Sequence, residues 1–335
     1  MVAPRLRSTA RPLAALAAAA ALALTGACAG QAPERTAAQV AAVQPKALPD
    51  LYADPGSNPA VWARDHAGDP RAARIKESIA DRPIARWFGN WSGDIHGAVS
   101  DYVGAAQAAG RTPVLVAYNV PGRDCGSHSG GGAGSPEAYR AWISQFAAAV
   151  GDRGAIVVIE PDAVAQLDCL PGDAERQTRL DLMKHAIQRF KASAPNARTY
   201  LDGGNATWIP ADTMAQRLQS AGIADARGFS VNVSNYHTTA DSVAYAENVN
   251  TALSSRFGYT RTYVVDTSRN GNGSNGEWCN PAGRRLGTAP RAGTDAEYEL
   301  WIKVPGDSDG DCGIGAGVPA GQFSPDIAVR LIDGT

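Results

Sequence analysis

The sequence predicts an α/β fold in which seven parallel strands alternate with helices and curl into a closed or nearly closed barrel. Three observations carry that reading. From about residue 50, short runs rich in β-branched residues alternate with helical stretches, which implies a parallel sheet. Seven such runs spread over residues 50–335, which suits a barrel better than an open doubly wound sheet. No G-x-G-x-x-G fingerprint follows the first run, so a dinucleotide-binding fold loses support.

In chain order the candidate strands are 84–88, 114–118, 156–160, 198–201, 229–233, 262–265 and 300–304. Most are bounded by Gly, Pro or Asn, the residues that end strands and open turns. Between the first two, Ile95, Val99, Tyr102, Val103 and Ala106 fall on one face of a helix. Ser135-Pro136 then caps a helix running toward Val150, with Pro at the first helical position. Asp124, Asp162, Asp202 and Asp309 follow the second, third, fourth and seventh strands. All four gather on the C-terminal face of a barrel, where barrel enzymes carry out their chemistry.

The chain has 335 residues with a formal charge of −2, and no Lys/Arg run exceeds two, so no nucleic-acid partner is indicated. An apolar fraction of 44% supports a sizeable core, while 36 Gly and 21 Pro indicate many loops. Residues 1–29 read as an export signal. Arg5, Arg7 and Arg11 precede an Ala/Leu segment at 13–24 that is too short to anchor in a bilayer. Cleavage after Ala29 gives a secreted protein. The alternative, lipidation of Cys28 in Thr25-Gly26-Ala27-Cys28, gives a cell-surface lipoprotein, the one route to a membrane. An Ala/Pro/Gln-rich spacer at 30–49 reads as disordered, leaving 50–335 as one catalytic domain.

Four cysteines remain beyond the signal, and four allow three pairings. In an oxidising compartment two disulfides are the default, and local pairing gives Cys125–Cys169 and Cys279–Cys312. Zinc is the rival, but no C-x-x-C or clustered His supports it. Asp307-Ser-Asp-Gly-Asp311 resembles half a calcium loop without its sixth-position Gly or twelfth-position Glu, so no metal is expected.

Four segments carry the candidate chemistry. They are Tyr118-Asn119-Val120-Pro121-Gly122-Arg123-Asp124-Cys125-Gly126, then Ile159-Glu160-Pro161-Asp162, then Leu201-Asp202-Gly203-Gly204-Asn205, and Trp301-Ile302-Lys303-Val304-Pro305-Gly306-Asp307-Ser308-Asp309-Gly310. A carboxyl pair that carries out acid–base chemistry needs one protonated and one ionised member. An unperturbed Asp titrates at about 3.9, so an acid role demands a raised pKa, which a second carboxylate nearby supplies.

The first two segments resemble the signature motifs of glycoside hydrolase family 6, the cellulase family, in its actinobacterial endoglucanase type. The similarity runs from Leu51 to the C-terminus. It implies a distorted, TIM-like (β/α) barrel, inversion at the anomeric carbon, no cofactor, a β-glucan substrate such as cellulose, and a monomer. It implies Asp162 as general acid, Asp124 as the neighbour that keeps the acid's proton, Asp309 as base acting through water, and Asp202 in support. It further implies Tyr118 as the residue that distorts the sugar, with Lys303, Asp307 and Asn235 binding substrate. The sequence departs from the family where Asp307 replaces a usual Glu, Asn205 a common His, and Gly130 a water-positioning Ser.

Other residues read differently. Glu160 is expected inside the barrel, hydrogen-bonded to a neighbour, and Asp266 is expected to be structural. His128 in Gly-Ser-His-Ser-Gly is no nucleophile elbow, which needs Ser in the middle. Trp87, Trp208 and Trp278 sit beside strand-end loops, where indoles can stack on sugar rings. The compact stretch 306–322 favours an open cleft and endo attack. The alternatives are a cellobiohydrolase and a non-catalytic carbohydrate-binding protein, against which three intact aspartates argue.

Overall fold

β-Branched and aromatic residues pack well on a pleated surface, and in this chain they mark the strands β1 (Arg86–Phe88), β2 (Val114–Ala117), β3 (Ala155–Ile159), β4 (Ala197–Asp202), β5 (Gly228–Val231) and β6 (Thr262–Asp266). The computed structural model describes residues 50–335, so the 1–29 export segment with Cys28 and the 30–49 spacer lie outside the described residues. Two further strands follow, β7 (Arg291–Ala292) and β8 (Tyr298–Leu300), and the sheet order is β1-β2-β3-β4-β5-β6-β8-β7. Every pairing from β1 to β6 is parallel, as is β6 with β8, while β7 pairs antiparallel with β8. β7 was not expected from the sequence: both its residues are exposed, so no apolar pattern marks it.

Alternation along the strands separates two cores. Val114, Val116, Tyr118, Ile156, Val158, Tyr200 and Val264 fill the inside of the curl. Leu115, Ala117, Val157, Ile159, Leu201, Phe229 and Val265 face the outer layer. That layer is built by α3 (Ile95–Ala108), α4 (Pro136–Val150), α5 (Asp173–Ser193), α6 (Ala211–Ser220) and α7 (Thr239–Phe257), while α1 (Asn58–Asp65), α2 (Ala72–Ile75) and α8 (Pro325–Asp333) pack around a third core of Ile75, Ile79, Trp301 and Ala328. The α3 face is the one the sequence marks: Ile95, Val99, Tyr102, Val103 and Ala106 are all buried. α4 starts where Ser135 Oγ accepts the Ala138 N–H at 3.1 Å, with Pro136 in the first turn. From it Phe146 meets Phe88 and Phe190 edge-on at 5.5 and 5.6 Å, and each such fully buried side chain contributes about 1.5–3 kcal/mol.

The seventh expected strand, 300–304, is displaced. β8 ends at Leu300, and the next residues leave the ladder because Asp266 captures their amides. Its Oδ1 accepts Ser268 N and Ile302 N at 2.9 and 3.2 Å, and its Oδ2 accepts Ser234 N and Lys303 N at 3.0 Å. Asp266 therefore has the structural role expected of it. The freed segment swings to β1, where Ala85 N donates to Trp301 O at 2.9 Å and Trp87 Nε1 donates to Ile302 O at 2.7 Å. This seam closes the barrel without a regular ladder.

Disulfides Cys125–Cys169 and Cys279–Cys312 close segments of 44 and 33 residues. By the loop-entropy account each contributes on the order of 3–4 kcal/mol. No helix among the described residues is long and apolar enough to cross a membrane.

Candidate active site

The loops after β1–β6 and β8 surround a cleft of 1260 Å³. Tyr118, Asp124, Asp162, Trp87, Trp208, Trp278, Asn235, Lys303, Asp307 and Asp309 all line it. Asp202 does not; it lies fully buried beneath Asp162.

Asp162 is aimed by its backbone. The chain turns left-handed at Glu160 (φ 48°) and again at Asp162 (φ 69°), a conformation worth roughly 1–3 kcal/mol of strain for a non-glycine residue. The Asp162 N–H donates to Asp202 Oδ2 at 3.0 Å, and that carboxylate also accepts Gly204 N at 3.1 Å and Ser230 Oγ at 3.0 Å. Burial, reinforced by the charges of Asp202 and Asp124, pushes the Asp162 carboxyl well above the usual range. Burial likewise raises Asp202 to about 6. Asp124 is left-handed too (φ 55°), and its Oδ2 accepts Ser129 N at 2.7 Å.

Glu160 departs from expectation. It is buried and hydrogen-bonded, taking the N–H groups of Asn119 and Val120 at 2.9–3.0 Å. Yet the left-handed turn breaks the strand alternation, and its charged and phenolic neighbours are Arg179 of α5 and Tyr139 of α4, on the helix side of the sheet. Burial lifts it to about 7.

Across the cleft, Asp309 has the opposite surroundings. Arg269 Nη1 donates to both its oxygens at 3.0 and 2.8 Å, and Lys303 Nζ lies 3.0 Å from Oδ1. Tyr236 Oη and Asn280 N donate to Oδ2 at 3.0 and 3.1 Å. Burial alone would raise this carboxyl, but the Arg269 and Lys303 charges outweigh it and hold it well below the usual range. Asn280, left-handed at φ 43°, returns the contact: its Oδ1 accepts Asp309 N at 2.9 Å, and its Nδ2 donates to Ser308 Oγ and Gly310 O at 3.0 and 2.8 Å. Asp307 differs from both. Its Oδ2 accepts Asn58 Nδ2 at 2.9 Å, its buried Oδ1 has no protein partner, and burial raises it to about 7.

Arg269, Tyr236, Asn280 and Asn58 were missed in the sequence. Arg269 alone left a signal, since it stands three residues beyond an apolar strand, where an Arg has to be paired if buried. The rims also meet across the cleft, where a side chain at Gly310 would strike the His128 ring and His128 lies 6.0 Å from the Trp278 ring.

The raised carboxyls set a pH dependence of stability. The unfolded chain releases the Glu160 proton near its ordinary value of 4.5, the folded protein near about 7. In between, the folded state holds a proton the unfolded chain lacks, so stability falls as pH rises, by on the order of 3 kcal/mol for this group. Asp162, Asp202 and Asp307 act in the same direction, whereas the contribution of Asp309 is lost only in strong acid. Thermal unfolding followed by circular dichroism is expected to give a lower midpoint at pH 8 than at pH 5. Glu160→Gln should reduce that difference, and an unchanged difference would exclude Glu160 as its source.

Comparison with known proteins agrees with this geometry. Endoglucanase 1 of Streptomyces halstedii is 53% identical over 285 residues, which cover 85% of this chain and 88% of that protein. Endoglucanase A of Cellulomonas fimi is 42% identical over 292 residues, covering 86% of this chain and 62% of its own length. The structure of endoglucanase Cel6 from Mycobacterium tuberculosis, in complex with methyl-cellobiosyl-4-deoxy-4-thio-β-D-cellobioside, matches with a TM-score of 0.80 and 39% identity over 87% of this chain and 98% of that one. The model of the glycosyl hydrolases family 6 matches residues 48–334, and this chain, with its acidic cleft at the strand ends, belongs to that family.

Proposed function

We propose that the protein is an exported, inverting endo-β-1,4-glucanase. The observation that carries this reading is the opposed treatment of two carboxyl groups in one cleft: the surroundings of Asp162 favour its protonated form, and those of Asp309 its ionised form. Inverting glycosidases need such a pair on opposite faces of the sugar, with room for water between. Asp162 protonates the departing glycosidic oxygen, Asp124 holds the proton on it, and Asp202 fixes its backbone. Tyr118 crowds the sugar at the point of cleavage.

Asp309 is a weak base, because two cations stabilise its charged form. It therefore acts through a water relay: the attacking water passes its proton along bridging waters to the Asp309 carboxylate, while Asp162 gives its own proton to the leaving oxygen. Lys303, Asp307 and Asn235, which all line the cleft, bind sugar hydroxyls. Trp87, Trp208 and Trp278 stack on glucosyl rings. Export is supported by the two disulfides and by the basic, then Ala/Leu-rich start of the sequence.

The names of the relatives favour endo attack. One observation favours a cellobiohydrolase: the His128 contact with the Gly310 and Trp278 rim, which bridges the cleft. Carboxymethylcellulose separates them. An endoglucanase drops the viscosity well before reducing ends accumulate; a cellobiohydrolase releases reducing ends with little viscosity loss; a binding protein does neither.

The acid role has its own test. Asp162→Ala should abolish most activity on unactivated glucans, by about 10²-fold or more, and cost far less on an aryl cellobioside with an acidic phenol, which needs little protonation. Equal losses would remove the role.

Stereochemistry tests the mechanism as a whole. Proton NMR of the anomeric signals in the first minutes of hydrolysis should show the α-anomer from a β-linked glucan. A first-formed β-anomer would require a carboxylate nucleophile touching the anomeric carbon, with its partner about 5–5.5 Å away.

A further inference from the structure

Among the described residues the exposed large apolar side chains are Trp91, Trp208 and Trp278, and all three line the cleft. They stand on three separate rims, after β1, β4 and β6. Trp91 is the most open, 54% exposed.

The turn that carries Trp91 is built around it. Ser92 N donates to Gly89 O at 3.0 Å, and Ser92 Oγ accepts Gly89 N at 3.0 Å, so residues 89–92 form a closed turn. Any side chain at Gly89 would meet the Trp91 indole at 2.3 Å, so the glycine keeps the space the ring occupies. The Arg123 guanidinium lies 5.0 Å from the Trp91 ring. It is itself fixed by Asn90 Oδ1 at 2.9 Å and Ser129 O at 2.7 Å. The indole is thus braced by its neighbours while half its surface stays open to the cleft. It also ends a continuous row. Trp87 meets Tyr118 at 5.1 Å, Tyr118 meets Arg123 at 4.9 Å, and Arg123 meets Trp91. An apolar ring held rigid and left wet is what a pyranose face needs, because the ordering cost is met before the sugar arrives.

We propose that Trp91 is a stacking platform for a glucosyl unit of the substrate, extending the Trp87–Tyr118 wall to the β1 rim. The proposal rests on the β-glucan reading of the cleft. It assigns to Trp91 binding of long chains and no part in the bond-breaking step.

The test uses the mature protein and cellohexaose. In an Asp162→Ala background, which prevents turnover, adding Trp91→Ala should weaken cellohexaose binding roughly tenfold by calorimetry, and Trp91→Phe should restore most of it. In the active enzyme, Trp91→Ala should raise KM by a similar factor and leave kcat within about twofold. A fall in kcat with binding unchanged would mean that the indole only braces Arg123 and the Asp124 loop, and would overturn the proposal. Binding indifferent to residue 91 would remove the proposal alone. No cellohexaose binding even with Trp91 intact would remove the glucan reading, and the proposal with it.

Discussion

The burial of Arg269 organises this site. Its guanidinium is 1% exposed, lies 4.3 Å from the Tyr236 ring centre, and gives its Nη1 to both oxygens of Asp309. A buried cation of this kind is costly unless paired, and a buried carboxylate is costly for the same reason. Each makes the other tolerable, and Lys303 joins them from the segment that follows β8. Removing Asp309 leaves two cations uncompensated in a low-dielectric place, so the cluster depends on that carboxylate. Because it stands, one wall of the cleft is permanently charged. On the facing wall no cation among the described residues is bonded to Asp162, and burial with the charges of Asp202 and Asp124 keeps the proton on it.

A family of side chains with the same pKa in water thus splits into acid and anion by placement alone. The placement is bought with backbone strain: Asp124, Cys125, Glu160, Asp162 and Asn280 all have positive φ without being glycine. Such strain persists only where the surroundings over-determine it. Here they do so through hydrogen bonds given to Asp202 and received from Ser129 and Asp309, and through Cys125 and Cys279, each locked in a disulfide beside a strained residue.

Much of this was legible in the sequence, for definite reasons. β2, β3 and β6 are continuous apolar runs, and such runs read as buried parallel strands. The α3 face and the Ser135 cap follow simple spacing rules. Asp124, Asp162 and Asp309 reach the cleft from loops that follow apolar strands, whereas Asp202 ends β4 itself and lies below the cleft. What was not legible depended on left-handed residues or on long-range pairing. The side Glu160 turns to is decided by its own positive φ, which no periodicity reveals. The end of β8 is decided by Asp266, whose carboxylate replaces the ladder from a distant strand. Trp91 escaped because an indole in a Gly-Asn-Trp-Ser turn looks like any loop residue until Gly89 and Arg123 are seen to brace it.

The seam between β1 and the segment after β8 gives the two walls different mechanical characters. Asp162 follows β3, which is paired along its whole length on both sides. Asp309 follows a strand of three residues whose continuation is held to β1 by an Ala85 amide and an indole N–H. Asp309 is located instead by backbone bonds between 306–308 and 321–324, joined by the Asn280 stitches, the Cys279–Cys312 bond and the ion cluster. The acid is mounted on a rigid frame, whereas the anion hangs from a set of tethers. In amide exchange the two would separate: β2 to β4 belong to the slowest-opening unit, and β1 with β8 to a faster one that can part without disturbing the acid.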